Sequence, residues 1–373
     1  MALSEDLMSK CSEQMSAYKS ACEEDPKLKS FDASLQQRTN KMIDSLTVDT
    51  KNGSVSPHDV HMKVSEHLVE VTQGVAKFIT EVEGDVWENE ALKYLVLAYF
   101  ENTAKTLDIF NNIANCVEKA EMGQLLIQQA VHEFEKESAE KDVGGKKKKY
   151  EKTLERLKKF KANGDPFDGQ VLTNQFELIK KQQESLLEEV TETRKKIQEE
   201  LTNLEKANVI TNVVFGAVFA VVAVATIALL VKIPGAIAAS GALALPLLAV
   251  GWTVVHTILS SKMDVLKKQL EGLKKVEDIE KSVEKGIKTN EEATKTVSIL
   301  VEGLEDRIQN MLKLVDNAID NEEDEEDTKL VIKLITEKVD KITKKIKEVG
   351  ESVETHSDLI VKARLHVLQK INR

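Results

Sequence analysis

Aromatic side chains are scarce in this 373-residue chain, at 4%, and backbone breakers are few: five prolines and sixteen glycines. A β-sandwich or a many-stranded barrel needs turn residues every few positions and aromatic or β-branched strands between them, so both are excluded. The three cysteines, Cys11, Cys22 and Cys116, are too few and too odd in number for a disulfide framework, which points to a reducing, cytosol-facing environment. Positive charge is also in deficit. With 52 basic against 63 acidic residues the net charge is -11, and phosphate binding by a general nucleic-acid binder needs a basic surface, so no nucleic-acid partner is expected. The opening residues MALSEDLMSKC are polar and acidic, unlike a signal peptide.

What remains is rich in Lys, Glu, Leu and Val, with 31% charged and 42% hydrophobic residues. That mixture with few breakers is the composition of long amphipathic helices. The fold class expected is all-α: an elongated helical bundle with coiled-coil arms and a central hydrophobic helical hairpin. In chain order it divides into an N-terminal helical bundle (1–165), a coiled-coil-like arm (166–206), a hydrophobic hairpin (207–261) and C-terminal coiled-coil-like helices (262–373).

The hairpin expectation comes from charge segregation. Between residues 207 and 261 the sole Asp, Glu, Lys or Arg is Lys232. The first half is apolar on every side, through Val213, Val214, Phe215, Val218, Phe219, Val221, Val222, Ile227, Leu229 and Leu230. It is long enough to cross a hydrocarbon layer of about 30 Å at about 1.5 Å per residue. The second half carries Leu243, Leu245, Leu247, Leu248, Val250, Trp252, Val254 and Val255, interrupted by Pro246, Gly251 and His256. Lys232, Pro234 and Gly235 between them form a turn signal. Arg194 and lysines before the pair and lysines after it flank its two outer ends, so by the positive-inside bias both arms are expected on the cytoplasmic side of the membrane. Two readings of the pair stand: insertion into a membrane, with lipid as partner, or burial at the centre of a soluble helical bundle.

The arms repeat apolar residues at three- and four-residue spacing. Upstream the seam is Leu172, Phe176, Ile179, Gln183, Leu186, Val190, Thr193, Ile197 and Leu204. Downstream it runs through Leu266, Leu270, Leu273, Val276, Val283 and Ile287, then Val297, Val301, Leu304, Ile308, Met311 and Val315. The last helix is the most regular: Ile335, Val339, Ile342, Ile346, Val349, Val353, His356, Ile360, Ala363, Val367 and Ile371. Such seams bury one face against partner helices, in this chain, in a second copy or in another protein. Pro26 is expected to end a first helix, Ser56-Pro57 to start another, and Asn163 to Gly169 to separate the bundle from the first arm.

Few residues have the pattern of a chemical site. Lys146, Lys147, Lys148 and Lys149 open a basic segment reaching Lys161, a candidate contact for anionic lipid or else a solvated helix start. The acidic run Glu322 to Asp327, with Asp316 and Asp320 before it, is a mate for these lysines and lacks the spacing and turn glycine of an EF-hand. His58, His61 and His67 do not make a zinc set. Cys11 and Cys22 fall on heptad core positions, where they serve as small buried apolar residues. Phosphate loops, nucleophile elbows and kinase signatures are all missing, so no enzyme and no cofactor are expected.

Several stretches resemble a plant family. They are SFDASLQQRTNKMIDSL (Ser30 to Leu46), VWENEALKYLV (Val86 to Val96), EKDVGGKKKKYEKTL (Glu140 to Leu154) and GDPFDG (Gly164 to Gly169). FELIKKQQESLLEEV (Phe176 to Val190) and ITNVVFGAVFAVVAVA (Ile210 to Ala225) add to them. Together they resemble the plant integrin-like, "At-fourteen-a-like" membrane proteins over nearly the whole chain. The resemblance implies plasma-membrane association, linkage to cytoskeleton and cell wall, and a part in stress or endocytic processes. An integrin ectodomain itself is excluded by three cysteines and a helical pattern. The function expected is a non-enzymatic, membrane-associated scaffold. A pore-forming or membrane-remodelling protein with an insertable hairpin and a soluble helical adaptor with the hairpin buried are the alternatives.

Overall fold

The computed structural model describes residues 18–51, 57–81, 87, 90–139, 150–167, 169–200 and 272–372. Among these, α-helix is the only regular secondary structure, as the composition requires. A helical stretch at 18–24 (α1) precedes α2 (Pro26–Lys51), α3 (Pro57–Glu81) and α4 (Glu90–Ala139). Then follow α5 (Glu151–Asn163), α6 (Gly169–Glu200), α7 (Gly272–Asp320) and α8 (Glu325–Asn372). The hairpin expected at 207–261 and the lysine run at 146–149 lie outside the described residues.

Helix ends follow local chemistry. Asp25 breaks α1 from α2: its Oδ1 accepts the N–H of Lys27 at 2.8 Å and of Leu28 at 3.2 Å, with Pro26 at the first helical position. Asp324 does the same for α8, accepting from Glu326 at 3.1 Å and Asp327 at 3.2 Å. The acidic run is therefore part inter-helix turn and part first helical turn, where Glu325, Glu326 and Asp327 face the positive end of the helix dipole.

Apart from His356 and Ala363 on α8, the seams read from spacing are buried wherever their side chains are described. On α6, Leu172, Phe176, Ile179, Gln183, Leu186 and Val190 are all buried. On α7 the buried stripe runs from Val276 through Ile287, Val297, Leu304 and Met311 to Val315. On α8 the expectation holds from Ile335 to Val353 and then slips. His356 and Ala363 are only half-buried, and the inward positions are Ser357, Ile360, Arg364 and Val367.

The helices gather into two compact units. The first takes its described residues from Met1–Lys105, Lys181–Glu291 and Asp358–Arg373, the second from Thr106–Lys180 and Glu292–Ser357. In the first unit, α2 and α3 meet through Phe31 and Phe78, with ring centroids 4.7 Å apart. Asn102 of α4 ties two further helices: its Oδ1 accepts from Asn290 Nδ2 of α7 at 2.8 Å, and its Nδ2 donates to Gln182 Oε1 of α6 at 3.4 Å. One turn away Gly286 of α7 lets the Tyr99 ring of α4 lie against its backbone. A Cβ on Gly286 would sit 2.5 Å from the Tyr99 hydroxyl oxygen and 2.7 Å from two ring carbons.

In the second unit, α5 starts without a side-chain cap of its own. Tyr150 precedes it in the left-handed region (φ 66°), buried and packed on Phe134 at 5.1 Å. The Glu137 carboxylate of α4 takes over the capping. It accepts the N–H groups of Lys152 at 3.0 Å and Thr153 at 3.3 Å and the Thr153 hydroxyl at 2.6 Å. At the other end Gly164 (φ 67°) closes α5 by donating its N–H to Lys161 O at 3.0 Å, the usual use of glycine after a helix. Asp165 then fixes the loop, accepting from Phe167 N at 2.9 Å and from Gln309 Nε2 of α7 at 2.6 Å.

An alanine normally favours a helix over glycine by up to about 1 kcal/mol. At position 286 the Tyr99 ring reverses the sign, and Gly286→Ala is expected to lose about 1–3 kcal/mol in urea unfolding. The Tyr99 hydroxyl has no hydrogen-bond partner among the described residues, so Tyr99→Phe should leave stability unchanged or raise it. A neutral Gly286→Ala would show that α4 and α7 do not approach this closely.

Candidate functional site

The most unusual arrangement among the described residues is a buried arginine. Arg364 of α8 is 1% exposed, within the sequence DLIVKARLHVL. Its guanidinium is held by α3 and α4. Nε donates to Thr72 Oγ1 at 3.0 Å, and Nη2 to Thr72 Oγ1 at 2.8 Å and to Val69 O at 3.0 Å. Nη1 donates to Phe100 O at 2.6 Å and to Thr103 Oγ1. The same group lies 4.8 Å from the centroid of the Phe100 ring, a cation–π distance. Thr72 and Thr103 are themselves bonded back to carbonyls one turn earlier, Leu68 O at 2.7 Å and Tyr99 O at 2.8 Å, so each hydroxyl oxygen is oriented to accept. The forked donor set of arginine, spread over acceptors on two helices, pins three helices together in the first unit.

Sequence spacing missed this group because it placed Ala363 on the inner face. The signal was present: a cation flanked by Ile360, Val361, Leu365 and Leu368, and threonines at core positions of α3 and α4.

Burial shifts several other titratable groups inside the helices toward their neutral forms. Burial raises the Cys22 thiol, as it does that of Cys116, so both are protonated at neutral pH and poor nucleophiles. Cys22 is buried, as its heptad position implied, whereas Cys11 lies outside the described residues. Tyr18 is raised by burial and by its 2.7 Å hydrogen bond to Asp32. His67 of α3 is 5% exposed, with no partner for Nε2 among the described residues. Burial, with a lesser push from Arg38, lowers its pKa to about 4. Among the described residues no group of three or more His, Cys, Asp or Glu is arranged to hold a metal ion.

The basic segment after the lysine run is partly described, and two of the acidic residues expected to pair with it, Glu322 and Asp316, do so. Lys158 Nζ lies 2.7 Å from Glu322 in the turn after α7, and Lys161 Nζ lies 2.6 Å from Asp316 of α7. Lys159 pairs within its own helix with Glu155, at 2.7 Å. These pairs are exposed and screened, so each adds little. The membrane-inserting candidates from Val213 to Val255, the turn at Lys232, Pro234 and Gly235, and Lys146 to Lys149 are outside the described residues. Among those described, no helix is long and apolar enough to cross a membrane.

A family model described as "Protein of unknown function (DUF677)" matches residues 28–371. The chain belongs to this DUF677 family. It is 77% identical to the UPF0496 protein At3g28270 of Arabidopsis thaliana, over all of both chains. The UPF0496 proteins At3g28310/At3g28320 and At3g28290 of the same plant are 46% and 43% identical, each over all of this chain and 99% of theirs. No solved structure matches. These findings correct the integrin-like, At-fourteen-a-like assignment. The family is a plant one, as the resemblance held, but it is described only as of unknown function. Linkage to cytoskeleton and cell wall goes with that assignment and is dropped.

Two measurements check the buried groups of this DUF677 protein. Arg364→Ala should lower unfolding stability by about 3 kcal/mol, and Arg364→Lys by nearly as much, because one ammonium cannot reach acceptors on both helices. Full stability in Arg364→Lys would reduce the network to simple charge burial. For His67, the folded pKa lies below the ordinary 6.5, so below pH 6.5 the unfolded chain takes up a proton that the folded one refuses. Stability from this residue is complete at neutral pH and falls as pH drops from 6.5 toward 4, by about 2 kcal/mol at pH 5. Urea titrations at pH 7 and pH 5 should therefore show a smaller acid loss in His67→Leu than in wild type. Equal losses would mean that His67 is solvated.

Proposed function

We propose that this protein is a non-enzymatic helical adaptor, which displays charged helix faces to protein partners. One observation carries the reading: the polar groups that make long-range hydrogen bonds are committed to holding helices and their connections together. Arg364 is bound by threonines and carbonyls, Asn102 by Asn290 and Gln182, Glu137 by the start of α5 and Asp165 by Gln309. Catalysis needs a nucleophile or base held near its working pKa, and the described thiols and His67 are pushed away from that condition by burial. The outer faces offer docking chemistry instead. Val171 and Leu178, two turns apart on α6, are 49% and 58% exposed, and Leu330 of α8 is 59% exposed.

A second reading is carried by the segment from 207 to 261, with Lys232 its sole charged residue. Placed in lipid, it makes the adaptor an integral component of a cytosol-facing membrane surface such as the plasma membrane. Sheltered by protein, it leaves a soluble adaptor. Extraction of plant membranes with alkaline carbonate separates the two. The adaptor reading expects the full-length chain in the supernatant. Retention in the pellet, together with loss of retention when 207–261 is deleted, would overturn it in favour of insertion. Dye release from liposomes on adding pure protein would instead assign the pore-forming role.

A further inference from the structure

The second unit contains a cavity of about 480 Å³ between α4, α5, the loop after α5, α7 and α8. That size falls among small-molecule sites, which run from about 300 to 1,000 Å³. Its apolar lining comes from Ile127, Phe160, Ile308, Ile342 and Ile346, and its polar lining from Lys119, Gln124, Asn163 and Asp165. The four isoleucines come from three helices, so the cavity exists only when the unit is folded.

The polar residues are not equivalent. Both Asp165 oxygens already accept hydrogen bonds, from Phe167 N and Gln309 Nε2, which pin the loop forming one wall. The side chains of Lys119, Gln124 and Asn163 form no hydrogen bond or ion pair with any described residue. One uncommitted cation and two uncommitted amides thus stand beside an apolar lining. An ammonium with two amide donors is the complement of a carboxylate, and the isoleucine and phenylalanine lining is the complement of an aliphatic body. Gly123 contributes by having no side chain. A Cβ there would come within 3.2 Å of the Phe160 ring, so the ring that lines the cavity lies close to the α4 backbone.

We propose that this cavity binds a small monomeric amphipathic carboxylate, its head at Lys119, Gln124 and Asn163 and its aliphatic tail among the isoleucines. The site is independent of the adaptor reading and of the fate of 207–261, and it gives the protein a ligand input within a single helical unit.

The full-length chain carries an apolar segment elsewhere, so binding has to be read locally. With isoleucine δ1-methyl labelling, decanoate titrated below its micelle concentration should shift the methyls of Ile127, Ile308, Ile342 and Ile346 together and to saturation. Lys119→Gln, an exposed and structurally mild change, should weaken decanoate by about five-fold and leave decanol, the uncharged probe, unchanged. Shifts confined to other isoleucines, or equal decanoate affinity in Lys119→Gln and wild type, would overturn the proposal.

Discussion

Each long helix of this protein carries an apolar stripe at three- and four-residue spacing, and burial of those stripes against one another is the interaction from which the rest follows. With few aromatics, the core is assembled from Leu, Ile and Val on neighbouring helices, such as Leu304 on α7 and Val349 on α8, both fully buried. Aliphatic seams of this kind are strong in sum and weak in register, because one turn of a Leu- and Val-lined helix packs much like the next. Specific contacts have to fix the register. In the first unit they are the Arg364 fork, the Asn102 pair and the Tyr99–Gly286 approach. In the second they are the Glu137 cap and the Asp165–Gln309 tie.

These register devices share a property: each satisfies a polar or steric demand that would be unfavourable if the helices slid. A buried guanidinium without its threonines and carbonyls is expensive, and so is a helix start without its capping carboxylate. The same devices consume most of the polar chemistry described inside the helices. The cavity of the second unit is the exception, since there a lysine and two amides remain uncommitted next to an aliphatic wall.

Much of this was legible in the residues. The stripes of α6 and α7, the α8 stripe up to Val353, the breaks at Pro26 and Asn163 to Gly169, the buried Cys22 and the pairing of acidic with basic segments all follow from short-range periodicity and charge. The seam failed where the two-residue alternatives Ala363 and Arg364 competed for one inward position. Spacing favours the small apolar residue. The structure chooses the arginine because Thr72 and Thr103, 292 and 261 residues away in sequence, turn the site polar. The Glu137 cap was equally hidden, because its partners lie 15 and 16 residues downstream, beyond any capping pattern within one helix.

By itself the sequence determined the all-helical class, the inward face of most helices and the concentration of charge outside residues 207–261. Those are properties of single helices, set by the 3.6-residue period and by the free energy of placing each side chain in or out of water. Only the tertiary structure decided which helices share a core, which buried polar groups meet, and where the helices leave a cavity. Those outcomes depend on contacts between residues far apart in the chain, and no local period encodes them.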